Sequence, residues 1–128
     1  MRTIIIGAVL LALAGQASAE ENASFDPLWS ANGIMPGCRS FLTKDASNLS
    51  YKTGFLEGRC TGIITGVLFA GMLSGAICVP SKATIHQLVA VVIRHTDQHP
   101  QDMHYRFVWF AYRALKEAWP CKPDQADK

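Results

Sequence analysis

The chain has 128 residues, 49% of them hydrophobic and 17% charged, a size and balance that fit one packed domain and exclude a multidomain enzyme or a disordered tail. The formal net charge of +2 includes Arg2, so without the first residues it falls close to zero, and charge makes no case for nucleic acid or for an anionic membrane. The four cysteines, Cys38, Cys60, Cys78 and Cys121, are widely separated, which disfavours a zinc site built from two close ligand pairs.

The chain opens with Arg2, the uncharged run Ile4 to Ala14, and Ala17-Ser18-Ala19. A basic start, a short apolar region and a small-x-small site predict a secretory signal peptide over 1–19, cleaved after about Ala19, and a single domain over 20–128. An exported chain meets oxidising conditions, so the four cysteines read as two disulfides. The sequons Asn22-Ala23-Ser24 and Asn48-Leu49-Ser50 matter only in a eukaryotic secretory pathway and are assigned no role.

After a polar segment at Glu20 to Ser24, Asp26-Pro27 reads as a helix start, with Asp26 as N-cap, and Asn32-Gly33 as its stop. A second short element is predicted from Pro36 through Cys38 to Leu42, followed by a polar loop from Thr43 to Ser50. From about Tyr51, apolar residues recur at helical spacing with no proline before Pro80, which predicts a long central helix. It carries Gly54, Gly58, Gly62 and Gly66 along one face, each costing about 1 kcal/mol of helix propensity, so the row requires a packing reason such as close approach of another backbone. The uncharged stretch Cys60 to Val79 has the length of a membrane span. Its glycine, threonine and serine content, and Glu57 and Arg59 just before it, favour a wholly buried core helix, with no stable membrane span in the mature chain.

Cys78-Val79-Pro80-Ser81 breaks that helix, and Thr84 with Gln87 has the spacing of a capping box that opens the next. Ile85, Leu88, Val89, Val92 and Ile93 form its apolar stripe, and His99-Pro100 ends it. A last helix is predicted over roughly Gln101 to Trp119, burying Met103, Phe107, Phe110, Ala111, Ala114, Leu115 and Ala118, before a polar tail from Lys122. With no alternating strand, the fold class is all-α: a compact bundle of three main helices plus one or two short N-terminal helices. Cys60 and Cys78 would stand roughly 27 Å apart on one continuous helix, too far to bond. An up-down-up path favours Cys38–Cys60 with Cys78–Cys121, and leaves Cys38–Cys78 with Cys60–Cys121 as the alternative.

Four histidines, His86, His95, His99 and His104, are the groups available for acid, base or metal chemistry. His95, His99 and His104 could converge at one bend as a weak metal-ligating or pH-responsive set. A histidine near a helix C-terminus also simply meets the dipole, and no HExxH pattern accompanies these. The glycines are not arranged as a phosphate loop and the disulfides consume the thiols, so no catalytic residue and no cofactor is expected. The more informative feature is Tyr105, Trp109 and Tyr112 beside Lys116, opposite the core stripe of the last helix. Large aromatics with polar tips mark binding hot spots, and the alternative is that Phe25, Leu28, Trp29 and Ile34 fold over them. The bend from Thr96 to Met103 is a second candidate contact region.

The order Pro36-Gly37-Cys38-Arg39, Phe55-Leu56-Glu57-Gly58-Arg59-Cys60-Thr61-Gly62, Cys78-Val79-Pro80, Thr84 with Gln87, Val91-Val92, His99-Pro100, Ala114-Leu115 and Trp119-Pro120-Cys121 resembles the Rap/Tai family of periplasmic immunity proteins associated with bacterial type VI secretion. The likeness covers about residues 36–121. It implies a small helical periplasmic protein, not an enzyme, that binds a peptidoglycan amidase toxin and occludes its substrate groove, commonly as a homodimer. The different-class alternatives are a periplasmic stress or chaperone-like helical protein and a small-ligand or metal-binding module at the histidine bend.

Overall fold

The computed structural model describes residues 27–43 and 50–122. The predicted signal peptide, the Asp26 cap, Phe25, most of the Thr43 to Ser50 loop and the polar tail lie outside them. Four α-helices and two 3-10 turns make up the described residues, with no β-strand among them: α1 (Ala31–Thr43), α2 (Tyr51–Leu73), α3 (Ile85–Asp97) and α4 (Phe107–Ala118), with the turns at Pro27–Trp29 and Pro100–Asp102. The all-α class is therefore correct, and so is the favoured pairing: Cys38–Cys60 and Cys78–Cys121 are both disulfides, with Cα atoms 5.3 and 4.8 Å apart.

The two predicted N-terminal pieces are redrawn as a 3-10 turn and a single helix, α1, which runs through both the predicted stop at Asn32-Gly33 and the predicted start at Pro36. Proline inside a helix removes an amide donor and crowds the preceding turn, yet α1 runs through Pro36. Its ends and its inner face hold it. The amides of Ala31 and Asn32, which have no partner inside the helix, donate to the carbonyls of Tyr105 and Met103 at 2.9 Å each. Gly33, the predicted stop, donates to the Ser30 hydroxyl at 3.2 Å and carries the turn onward. Ile34, Met35 and Cys38 are buried on both sides of Pro36, while Pro36 itself faces solvent.

α2 begins where the sequence places it, with the Ser50 hydroxyl accepting from the Thr53 amide at 3.1 Å. It ends earlier than the Cys78-Val79-Pro80 break. Gly75 has a left-handed backbone, φ 66°, and the amides of Ala76 and Ile77 both close onto the Gly71 carbonyl, at 2.9 and 3.1 Å. That reversal lays Ile77 against Gly71, where a Cβ would collide with the isoleucine side chain. The chain then pairs with the end of α4: the Cys78 amide donates to the Trp119 carbonyl at 2.9 Å, Ile77 bridges Pro120, and Cys78–Cys121 closes the corner.

α3 carries the predicted capping box, with both the Thr84 and Gln87 bonds made. α4 starts six residues later than Gln101, at Phe107, because Pro100–Asp102 forms a 3-10 turn whose continuation supplies the carbonyls that cap α1. Its inner residues Phe107, Phe110, Ala111, Ala114 and Leu115 are buried against Ile64 and Val67 of α2, Val89 and Val92 of α3, and Ile34 and Met35 of α1. Met103 is half-buried and Ala118 is exposed, so neither belongs to that core.

Composition predicts a wholly buried central helix, and the structure corrects this: α2 is buried on one side only. Cys60, Ile64, Val67 and Gly71 face inward, and the opposite side, with Tyr51, Phe55, Phe69 and Leu73, is exposed. The glycine row lies on that outer half: a Cβ added at Gly54, Gly58, Gly62 or Gly66 would meet nothing within 4 Å. The close approach is made elsewhere, by Gly37 of α1, whose Cα rests on the Leu56 carbonyl, one turn from the Cys38–Cys60 bond and beside the 2.7 Å hydrogen bond from Ser40 to Glu57. Gly37→Ala is therefore expected to cost about 1–3 kcal/mol by overpacking, whereas Gly54→Ala, with free space, raises stability by up to about 1 kcal/mol through helix propensity. Urea unfolding of the two variants with their disulfides intact checks both signs.

Candidate partner-binding surface

An apolar groove of about 460 Å³ runs between α2 and α4. Val67, Ala70, Gly71 and Ser74 form the α2 wall, Val108, Trp109 and Tyr112 the α4 wall, and Arg106 closes one end. It exists because small side chains on α2 keep that wall low while the aromatics of α4 rise over it. The helical period that sends Phe107, Phe110 and Ala114 inward also sends Val108, Trp109 and Tyr112 toward the groove.

Trp109 is 44% exposed and is held on two sides. The edge of its ring meets Phe110, 5.6 Å away at 86°, and the Arg113 guanidinium lies 4.4 Å from its centroid. Tyr105 stands 6.1 Å away on the same side, and the Lys116 ammonium lies 5.7 Å from the Tyr112 ring. The four residues singled out from the sequence thus share one surface. Among the described residues the N-terminal element does not cover it: Leu28 and Trp29 are exposed, the Trp29 ring sits 5.1 Å from the Arg59 guanidinium, which also donates to the Leu28 carbonyl, and Ile34 points into the core, while Phe25 lies outside the described residues. What the sequence reading missed is the α2 wall. Its signal was the small-residue spacing Ala70, Gly71 and Ser74, which continues beyond the more conspicuous glycines.

The histidine bend does not assemble as one set. His95 is buried, its Nδ1 3.1 Å from Glu117 Oε2, and its ring lies 4.5 Å from that of His99. His99 Nδ1 is 2.7 Å from the His95 carbonyl, while His104 stacks on Tyr105, 4.1 Å away. His86 lies elsewhere, stacked on Phe41. Among the described residues no three histidine, cysteine or acidic side chains are placed to share a metal ion. Of the bend from Thr96 to Met103, Thr96 is fully buried and the Met103 carbonyl caps α1, so part of that segment is structural.

Compared with known families, residues 30–121 match the model of the Rap1a immunity proteins. The chain belongs to the Rap1a immunity protein family. The match covers most of the chain, including all four helices, both disulfides and the groove, and agrees with the resemblance read from the cysteine and helix-break spacing. Searches of curated proteins and of solved structures give no match. In this Rap1a member the conspicuous surface is hydrophobic and cation-rimmed, by Arg106, Arg113 and Lys116, which suits docking of another molecule.

The His95 site sets a pH limit on the fold. Burial pushes the His95 pKa below its ordinary value of 6.5, with His99 and Arg113 adding to the effect and Glu117 opposing it. The folded chain therefore prefers neutral His95, the unfolded chain binds the proton more readily, and stability falls as pH drops below about 6.5. Thermal unfolding from pH 8 to pH 5 is expected to show this decline, and His95→Gln to flatten it.

Proposed function

We propose that this protein is a periplasmic immunity protein that binds a peptidoglycan amidase toxin delivered by type VI secretion and occludes its active site. Family membership supports the immunity role, and the predicted signal peptide over 1–19 supports export, with 20–128 as the working domain. The observation that carries the binding reading is the pre-set Trp109 beside an open apolar groove. An indole fixed between Phe110 and Arg113 loses little side-chain freedom on docking, and a concave apolar strip accepts a protruding apolar side chain from the partner. Arg106, Arg113 and Lys116 around it favour a toxin surface carrying carboxylates near that apolar contact. Tyr105, Trp109, Tyr112 and Lys116 are accordingly the partner-binding residues. Inhibition of this kind requires steric fit, not chemistry, so the protein acts without catalytic residues or cofactor, and it works as a homodimer.

Affinity capture from periplasmic extract is expected to recover a peptidoglycan hydrolase whose activity the purified protein suppresses. Trp109→Ala weakens that binding by about 2 kcal/mol, roughly thirtyfold, with the fold intact. Unchanged affinity in the variant would remove the groove from the interface.

A further inference from the structure

The two disulfides differ in what can reach them. Cys38 and Cys60 are both 0% exposed, sealed where Gly37 of α1 sits on the Leu56 carbonyl of α2. Cys78 and Cys121 are only half-buried, and Pro80, Pro120 and Lys122 around them are exposed. A disulfide is broken by a thiolate that attacks one of its sulfurs, so exchange requires access to a sulfur and a leaving thiolate that is stabilised. Burial denies that access at Cys38–Cys60 and leaves Cys78–Cys121 as the approachable bond. Lys122, next to Cys121, also favours the negative charge that gathers on the Cys121 sulfur as it leaves.

The approachable bond also sits where the fold is least held by other means. The start of α4 is tied by backbone, through the Ala31 amide on the Tyr105 carbonyl and the Ser30–Arg106 bridge. Its buried residues Phe107, Phe110, Ala111, Ala114 and Leu115 all precede the end of the helix, whose last residues Lys116, Glu117 and Ala118 are exposed. Beyond that point the exit of α4 is joined to the exit of α2 by one hydrogen bond, from the Cys78 amide to the Trp119 carbonyl, by the Ile77–Pro120 bridge and by the disulfide. The exit of α2 has independent support, because Ile77 is buried against Gly71 and its amide bonds the Gly71 carbonyl. The exit of α4 has none comparable, and Tyr112 of the groove wall lies about two helical turns before Trp119.

We infer that Cys78–Cys121 is a reducible latch: a dithiol opens it while Cys38–Cys60 stays closed, and opening frees the exit of α4, beside the Tyr112 end of the groove, without unfolding the domain. The thiolate of the dithiol attacks the Cys78 sulfur, and the Cys78–Cys121 bond breaks to leave the Cys121 thiolate, which takes a proton. The second thiolate of the dithiol then attacks its own sulfur in the mixed disulfide and releases Cys78 in the same way. Two electrons pass to the protein, the dithiol ends as its own disulfide, and its two protons end on Cys78 and Cys121. Because the remaining bond is sealed in the core, the two new thiols have no disulfide within the domain to attack, and reoxidation restores the same pair. The shape of the groove thereby follows the thiol–disulfide balance of the compartment. The inference goes beyond toxin binding and does not rest on it.

The test treats the full mature chain with dithiothreitol in mildly alkaline buffer without denaturant, traps thiols with iodoacetamide over time and maps them by mass spectrometry. Cys78 and Cys121 are expected to be alkylated at least roughly tenfold sooner than Cys38 and Cys60. In the singly reduced chain the helical circular dichroism persists, amide hydrogen exchange at Cys78 and Trp119 rises at least roughly tenfold, and exchange at Ala31 and Asn32 does not change. The double variant Cys78→Ser with Cys121→Ser is expected to give the same rise at Trp119 with no reductant present. Alkylation of all four cysteines together, of Cys38 and Cys60 first, or of none overturns the inference. Loss of the helical signal on reduction of Cys78–Cys121 also overturns it, as does unchanged exchange at Trp119. Toxin binding is read separately through Trp109→Ala in the oxidised chain, so either reading can fail without the other.

Discussion

A helix of 23 residues is about 35 Å long, and the three other α-helices among the described residues, at 12 or 13 residues each, cover only one side of it. α2 carries apolar residues on its outer face as well as its inner one, so this shortfall decides the rest of the molecule. α1 and α4 lie along different flanks, α3 closes the core over them, and the surface of α2 that remains becomes groove on one flank and bare face on the outside. In a larger domain such a helix would be enclosed by further elements. Here its unenclosed surface is what the protein has available for other molecules.

Fixing those helices along α2 requires few but strong constraints. Gly37 lets α1 seat directly on the Leu56 carbonyl, and the neighbouring disulfide holds that seat. At the far end the Gly75 reversal, the Cys78–Trp119 hydrogen bond and the second disulfide join the exit of α2 to the exit of α4. Closing loops of 22 and 43 residues, each bond adds about 3–4 kcal/mol by restricting the unfolded chain, a large share of what a domain of this size possesses. The groove therefore sits between two stapled helices, and its width is held before any partner arrives.

How far the sequence could be read depended on the range of the interaction. The Thr84–Gln87 capping box, the Ser50 start of α2 and the core stripe of α4 are set by residues within a turn or two of one another, and all are found where their patterns place them. The disulfide pairing was legible in part: helix length set aside Cys60–Cys78, and an up-down-up path favoured the pairing found over Cys38–Cys78 with Cys60–Cys121, which only the structure removes. The passage of α1 through Pro36 was not, since its support comes from carbonyls about 70 residues further along, at Met103 and Tyr105. Nor could spacing show which side of the glycine row faces the core. A glycine face looks the same in sequence whether its neighbour belongs to the same chain or another one, and only the burial of Cys60 and Ile64 on the opposite side decides it. The aromatic half of the groove was legible from helical period, and its α2 wall was not, because a groove is made by what two helices leave empty.

The disulfides join first cysteine to second and third to fourth, so the two covalent loops neither nest nor cross. A chain emerging from its N-terminus presents Cys38 and Cys60 together before Cys78 has appeared, and Cys78 then finds only Cys121 unspent. An oxidant that couples thiols in order of arrival thus produces the native connectivity directly. Assembly in that order needs no later reshuffling of the two bonds.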